Sequence, residues 1–482
     1  MAETQAPQSS AALTFCAPEQ RRLILIAAIL ASALGFIDGT VVSIALPAMR
    51  ASLDTTLAQA QWFSNAYMLF LSALILAGGA LGDRFGLARI FSFGIGFFIV
   101  ASMACAIAPT PEFMIGARAA KGIGAALMVP GSLALISRAY PKQERGRAIG
   151  IWAAASALTT ALGPIIGGLV LTLGGPEFWR WIFAINLPLG LLALWILRRA
   201  VRADPVQEDA PVDWFGAGLA TLGLGSVAYG LTNLDALGVS VAGVLVLVAF
   251  LAHEARATHP MMPLRLFSDA RFSAANAATF LLYAALGAML FYLPMAVITA
   301  WDITPIEASA AFAPLSVFIS ALSTRAGQLS DRIGPEPVIA MGAGIVAIAY
   351  TVIALTAELQ AFWTATVPAM ALAGFGMAFV VAPLSAAVMA SVEDGQTGAA
   401  SGVNNAISRM ASLLSIAAFG SLAALAYDGA GGALSFGAEG ASETHRAAVT
   451  AGFKAVAWVA AALAAASALT MVLTRPKAAA SG

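Results

Sequence analysis

Residues 79–86 read GALGDRFG and residues 327–334 read GQLSDRIG. Gly, Leu, Asp, Arg and Gly recur at matching places, and each octapeptide separates two long apolar runs. Internal self-similarity of this kind marks duplicated halves in membrane transport folds. Outward from the two octapeptides, the chain divides into fourteen apolar segments, each near the 20 or so residues that cross a bilayer. The first octapeptide joins segments two and three and the second joins segments ten and eleven, a shift of eight. Eight is six plus two, so the expected architecture is all-α: two six-helix bundles with a helix pair inserted between them. The boundaries follow: an N-terminal tail at 1–21, a first bundle at 22–197, a linker with the inserted pair at 198–271, a second bundle at 272–474 and a tail at 475–482.

Composition agrees. Of 482 residues, 60% are apolar and 10% are charged, against about 25% charged in a soluble domain. Twenty-five basic and 25 acidic side chains give a net charge of zero, which offers no basic footprint for nucleic acid. Eighteen lysines and arginines fall in the tails and loops on the N-terminal side of the bilayer, and three (Arg50, Arg180, Arg446) on the other. By the positive-inside rule, both termini are cytoplasmic. The remaining four, Arg118, Lys121, Arg409 and Lys454, lie inside apolar segments. A polar 20-residue stretch ahead of the first apolar run, together with that run's length, reads as a retained helix and not a cleaved signal peptide. Cys16 and Cys105 sit too far apart in depth to form a disulfide. The histidines His253, His259 and His445 fall between apolar segments as surface residues, with no metal-ligand spacing.

Asp38 is the single acid near a helix centre, where an unpaired aspartate costs about 2.5 to 3.5 kcal/mol on insertion scales. At 1.5 Å per residue it lies about 24 Å from the inner surface, and Arg118 on the fourth helix lies about 21 Å from it. Matching depths predict an Asp38–Arg118 pair facing a central cavity. Such a pair either locks the first and fourth helices together or responds to protonation. Lys121, three residues after Arg118, shares its helical face and adds positive charge, as does Arg409 at mid depth. Lys454 reads as a residue that snorkels to the interface. On the fifth helix, Thr159, Gly163 and Gly167 form a small-residue stripe that admits a close neighbour, with Pro164 limiting or bending the rod. In the two Asp-Arg turns, Gly79, Asp83, Arg84, Gly86, Asp331, Arg332 and Gly334 read as hinge residues, with glycine for the bend and aspartate for capping. Asn65, Tyr67, Asn186, Asn276, Tyr283 and Asn404 are candidates to line a substrate cavity together with Lys121 and Arg409. Trp62, Trp179 and Trp181 read as interfacial anchors.

These motifs, in order, resemble the major facilitator superfamily and in particular its fourteen-helix drug:proton antiporter branch. GALGDRFGLAR (79–89) is similar to the family's turn between helices two and three, with Leu87 and Ala88 where basic residues are usual. FIDGTVVSIALP (36–47) resembles the first-helix motif. RAAKGIGAA (118–126) matches the fourth-helix motif with Lys121 in place of glutamine, and TTALGPIIGG (159–168) the antiporter motif with Thr159 in place of its first glycine, leaving Gly163, Pro164, Gly167 and Gly168 in register. WRWIFAINLPLG (179–190), DWFG (213–216) and SGVNNAISR (401–409) extend the likeness across nearly the whole chain. The resemblance implies proton-coupled efflux of small amphipathic molecules by alternating access, with Asp38 and Arg118 in proton coupling, a monomer in the inner membrane, and no cofactor beyond the proton gradient. Uptake or facilitated movement of a metabolite or lipid is the alternative. A membrane enzyme would need a nucleophile with a base or paired carboxylates, which the helix centres do not supply, and the two Asp-Arg turns count against a receptor.

Overall fold

A computed structural model describes residues 15–206, 211–393 and 396–474, with the side chain of Ala157 also left aside. Most of the predicted N-terminal tail, the whole of 475–482 with Arg475 and Lys477, and residues 207–210 of the linker lie outside the described residues. Among those described, fourteen helices are long and apolar enough to cross a membrane. Their main α-helical stretches are α1 (Arg21–Leu53), α2 (Leu57–Phe85), α3 (Leu87–Ala106), α4 (Pro111–Ala139), α5 (Lys142–Gly174), α6 (Asn186–Ala200, within a span from Pro176), α7 (Trp214–Thr232), α8 (Leu237–Glu254), α9 (Ala270–Ala300), α10 (Ala313–Ile333), α11 (Pro335–Thr356), α12 (Val367–Ala390), α13 (Thr397–Gly429) and α14 (Glu443–Leu473). Short helical turns at Pro176–Arg180 and Trp181–Ala184 lead into α6, and Pro305–Ser309 leads into α10. Helix is forced here because hydrocarbon leaves backbone polar groups no partner outside their own segment. Polar side chains begin several of these helices: Thr56 and Gln59 form a capping box on α2, Thr110 caps α4, and Asp269 caps α9.

Packing repeats with the same shift of eight. In the first half α2 and α3 pack on α4, and α1 packs on α5 and α6; in the second, α10 and α11 pack on α12, and α9 packs on α13 and α14. The inserted α7 and α8 pack on each other as a hairpin, and α7 rests on α2 and α13, at the seam between the halves. On α8, Val241, Val244, Leu245 and Val248 remain exposed, as a helix facing lipid requires. The two Asp-Arg turns are also structurally equivalent. Gly86 (φ 100°) ends α2 one residue before α3, and Gly334 (φ 88°) ends α10 one residue before α11. Both need a backbone conformation that only glycine adopts without strain.

The face carrying these turns, here the turn face, also holds the start of α1. From it a cavity of about 1110 Å³ runs inward between the halves, lined among others by Phe36, Tyr67, Trp152 and Arg409, with Gly79, Asp83 and the 257–265 segment toward its mouth. The opposite face is shut. Buried Arg50 donates from Nη1 to the Phe436 carbonyl at 2.6 Å and from Nη2 to Ser435 Oγ at 2.8 Å. Gln61 Nε2 donates to Tyr292 Oη at 2.9 Å and to the Ile416 carbonyl, which also accepts from Tyr292 Oη at 2.5 Å. Ile306 N–H donates to Thr172 Oγ1 at 3.2 Å. Apart from Tyr292–Ile416, which lies within the second half, each of these bonds joins the first half to the second.

Candidate functional site

The charges predicted to meet do meet. Asp38 on α1 accepts from Arg118 Nη1 at 2.6 Å on Oδ2 and from Lys121 Nζ at 2.5 Å on Oδ1. All three side chains are 0 to 2% exposed. Arg118 also donates from Nε to the Phe63 carbonyl at 2.6 Å, and its guanidinium lies 4.6 Å from the centre of the Tyr67 ring. Lys121 donates to Ser102 Oγ at 2.8 Å and stands 4.6 Å from the Phe98 ring and 4.8 Å from that of Phe183. Ser102 in turn donates to the Phe183 carbonyl and accepts from Asn186 Nδ2 at 3.0 Å. One carboxylate therefore holds two cations inside the first half, with aromatic faces supplying further attraction for positive charge.

Two expectations about this cluster need correction. It does not open onto the cavity: Tyr67 lines the cavity and covers Arg118, and the charges lie behind it in the packing of α1, α3 and α4. Lys121 is likewise no cavity residue, because Asp38 and Ser102 hold it within the half. Of the predicted lining set, Tyr67 and Arg409 do line the cavity, joined by Asn405. Asn276 and Asn404 satisfy each other instead, since Asn404 Nδ2 donates to Asn276 Oδ1 at 3.1 Å and to Thr279 Oγ1 at 2.8 Å where α9 meets α13. Asn186 faces Ser102, Asn65 is fully buried, and Tyr283 packs at the edge of the core. Arg409 forms no ion pair among the described residues, and its Nε is buried without a hydrogen-bond partner, so it is the cation that meets the cavity at depth.

The fifth-helix stripe is a true close approach. A Cβ at Gly163 would stand 2.1 Å from Thr40 Oγ1, and one at Gly167 2.8 Å from a Val41 methyl, on the α1 turn that follows Asp38. At Gly168 a Cβ would lie 2.7 Å from Ile306 Cα, in the other half. Helix α5 runs unbroken through Pro164, so no interruption arises there. Of the turn residues, Asp83 pairs with Arg138 at 3.1 Å, Arg84 lies over the Phe85 ring, and Gly79 faces the cavity. Asp204, which the sequence did not single out, crosses from the linker to accept the Ala88 and Arg89 N–H groups at 3.1 and 2.9 Å, capping α3 beside Gly86. Asp331 and Arg332 are exposed and show no such tie among the described residues.

Further corrections concern residues near the surface. Lys454 reaches the exposed Glu358 in the turn after α11 and pairs with it at 2.6 Å. Trp179 is fully buried against Phe183 and is no interfacial anchor. Two histidines are helical and partnered: His445, 3% exposed in the first turn of α14, meets Tyr427 Oη at 2.6 Å, and His253, in the last turn of α8, meets Asp213. The fold also assembles a ligand group invisible in the spacing, Asp213, His253 and Glu254, because the α7–α8 hairpin returns residue 253 to residue 213. The aspartate at the start of DWFG was the only sequence signal for it.

A two-half helical fold with an inserted hairpin, a sealed charge cluster and a cavity open at one face defines a membrane transporter. Residues 28–416 match the Major Facilitator Superfamily, and the chain belongs to that family. It is 32% identical over 413 residues to the methylenomycin A resistance protein of Streptomyces coelicolor, covering 81% of this chain and 84% of that one. It is also 32% identical over 397 residues to the lincomycin resistance protein of Streptomyces lincolnensis, covering 80% and 81%. In fold it resembles the crystal structure of a D-xylose-proton symporter, with a TM-score of 0.66 at 16% identity over 93% of this chain and 97% of that one.

Proposed function

We propose that this protein exports small amphipathic molecules across the plasma membrane in exchange for protons, by alternating access of the 22–197 and 272–474 bundles around the central cavity. The carrying observation is the sealed Asp38–Arg118–Lys121 cluster. With Asp38 ionised the three groups sum to one positive charge; a proton on Asp38 leaves two adjacent buried cations without an anion, a state too costly to persist in the same packing. Proton uptake is thereby linked to a rearrangement of α1 against α4, and through Tyr67 to the cavity wall. Gly163 and Gly167 seat α5 on the segment of α1 that must move. The kinship with resistance proteins supports the outward direction of cargo.

The turn face is assigned to the cytoplasm, so that both termini are cytoplasmic and the cavity described above is the inward-open state. The protein acts as a monomer, with no cofactor beyond the proton gradient and no enzymatic step. Arg409 at the cavity wall favours neutral or anionic amphiphiles over lipophilic cations, since no acid among the described residues pairs with it to offset a second positive charge. The test is proton flux in everted vesicles combined with a resistance panel in an efflux-deficient host. With an acidified lumen, wild type lets protons out of the everted vesicles when exported compounds are added outside, whereas Asp38→Asn, inserted to the same level, loses this coupling at least ten-fold. Undiminished coupling in Asp38→Asn overturns the reading, and cargo-driven uptake in the opposite sense replaces export with import.

A further inference from the structure

A second group of polar side chains, Glu254 buried and Asp213 and His253 half-buried, stands at the turn-face end of the inserted hairpin, apart from the proton-linked cluster. Asp213 caps α7, its Oδ1 accepting the Gly216 N–H at 2.7 Å. His253 and Glu254 are the last residues of α8. His253 Nε2 lies 3.0 and 2.9 Å from the two Asp213 oxygens. Glu254 is 3% exposed; its Oε2 accepts the Met262 N–H at 2.8 Å, and its Oε1 is buried without a hydrogen-bond partner. One donor atom from each residue falls within 4.8 Å of the other two. A Cβ at Gly216 would stand 2.5 Å from Asp213 Oδ2 and 2.7 Å from Glu254 Oε1, so the missing side chain leaves room for both carboxylates to converge.

From this geometry we infer that Asp213, His253 and Glu254 form a binding site for a divalent transition-metal ion of the zinc class. One imidazole and two carboxylates, with a coordination position left for water, is a donor set that such ions accept, and the nitrogen ligand disfavours magnesium and calcium. Ligands about 2.0–2.1 Å from a tetrahedral ion lie about 3.3 Å apart, so the Asp213–His253 spacing needs only a small relaxation. The orphaned Oε1 of Glu254 gains the partner it lacks. Access exists through a shallow depression lined by Asp213, His253, Arg256 and His259. The ion would tie the two ends of the hairpin to each other and, through Glu254 and Met262, to the segment leading into the second bundle.

The test uses the full chain, tag-free, in detergent and stripped with chelator. Calorimetric titration with Zn²⁺ and visible absorption on titration with Co²⁺ should show one ion per chain, with a Co²⁺ ligand-field spectrum that Zn²⁺ abolishes. His253→Ala and Glu254→Gln should weaken binding at least ten-fold and remove the Zn²⁺-dependent rise in unfolding temperature, while His259→Ala leaves both intact. Glu254→Gln keeps the acceptor for Met262, so its fold is preserved and the loss reads on the ligand. Absence of saturable binding, or binding unchanged in both ligand variants, overturns the inference. Loss of binding only in His259→Ala moves the metal to the surface and likewise overturns it. Transport of cargo plays no part in these readouts, so they stand or fall separately from the proposed export.

Discussion

Lys121 shows how one side chain resets the chemistry of its neighbours. It takes the second oxygen of Asp38 at 2.5 Å while Arg118 holds the first at 2.6 Å, so an incoming proton must overcome two cations instead of one. Two unit charges 4 Å apart at an effective dielectric of 20 interact by about 4 kcal/mol, and one pH unit corresponds to about 1.4 kcal/mol. Lys121→Gln keeps a donor within reach of Asp38 and Ser102 but removes one charge. The pH at which proton-driven transport is half-maximal should therefore move alkaline by about one unit or more, measured as transport against pH in vesicles. A superimposable profile would reduce Lys121 to a packing role. The sequence placed Asp38 and Arg118 at one depth because helical rise is fixed. It could not place Lys121 on the far side of the carboxylate or put Tyr67 between cluster and cavity, since those outcomes depend on how α1, α3 and α4 rotate about their axes.

Helices approach one another where glycine removes the obstacle, and α5 offers a graded test. At Gly163 an added methyl meets Thr40 Oγ1 at 2.1 Å, whereas at Gly146 in the same helix nothing stands within 4 Å. Gly163→Ala should destabilise the protein by about 1–3 kcal/mol, the usual cost of overpacking, and slow exchange by pushing α5 off α1. Gly146→Ala should leave both unchanged. Thermal unfolding in detergent and transport assays of the pair check this; equal behaviour of the two variants would remove the mechanical role of the stripe. The four-residue repeat was legible in the sequence. Its partner was not, because small residues signal a close neighbour without naming which helix supplies it.

Across the whole molecule, the closed face is held by a few bonds between halves that no motif or spacing paired. Arg50 reaches Ser435 and Phe436 in the loop before α14, and Gln61 reaches Tyr292 and Ile416. Arg50→Ala removes two of these bonds, and at about 0.5–1.5 kcal/mol each it should shift the balance toward the state open on that face by several-fold or more. A cysteine introduced as Ser415→Cys, buried beside Ile416 where the halves meet and read with a membrane-impermeant thiol reagent, should label faster in Arg50→Ala than in the parent. Unchanged labelling would mean that the apolar packing of α1 on α9 alone closes this face. The order of apolar segments, the repeated Asp-Arg turns and the shift of eight helices followed from composition and spacing, because hydrocarbon admits only helices of a set length and a duplicated half repeats its turns. What folding alone decided is which polar side chains face one another: the sealing of the charge cluster behind Tyr67, the mutual satisfaction of Asn276 and Asn404, and the meeting of Asp213 with His253. Those pairings join residues 40 to 128 positions apart, and a one-dimensional period cannot fix the rotation of each helix that brings them together.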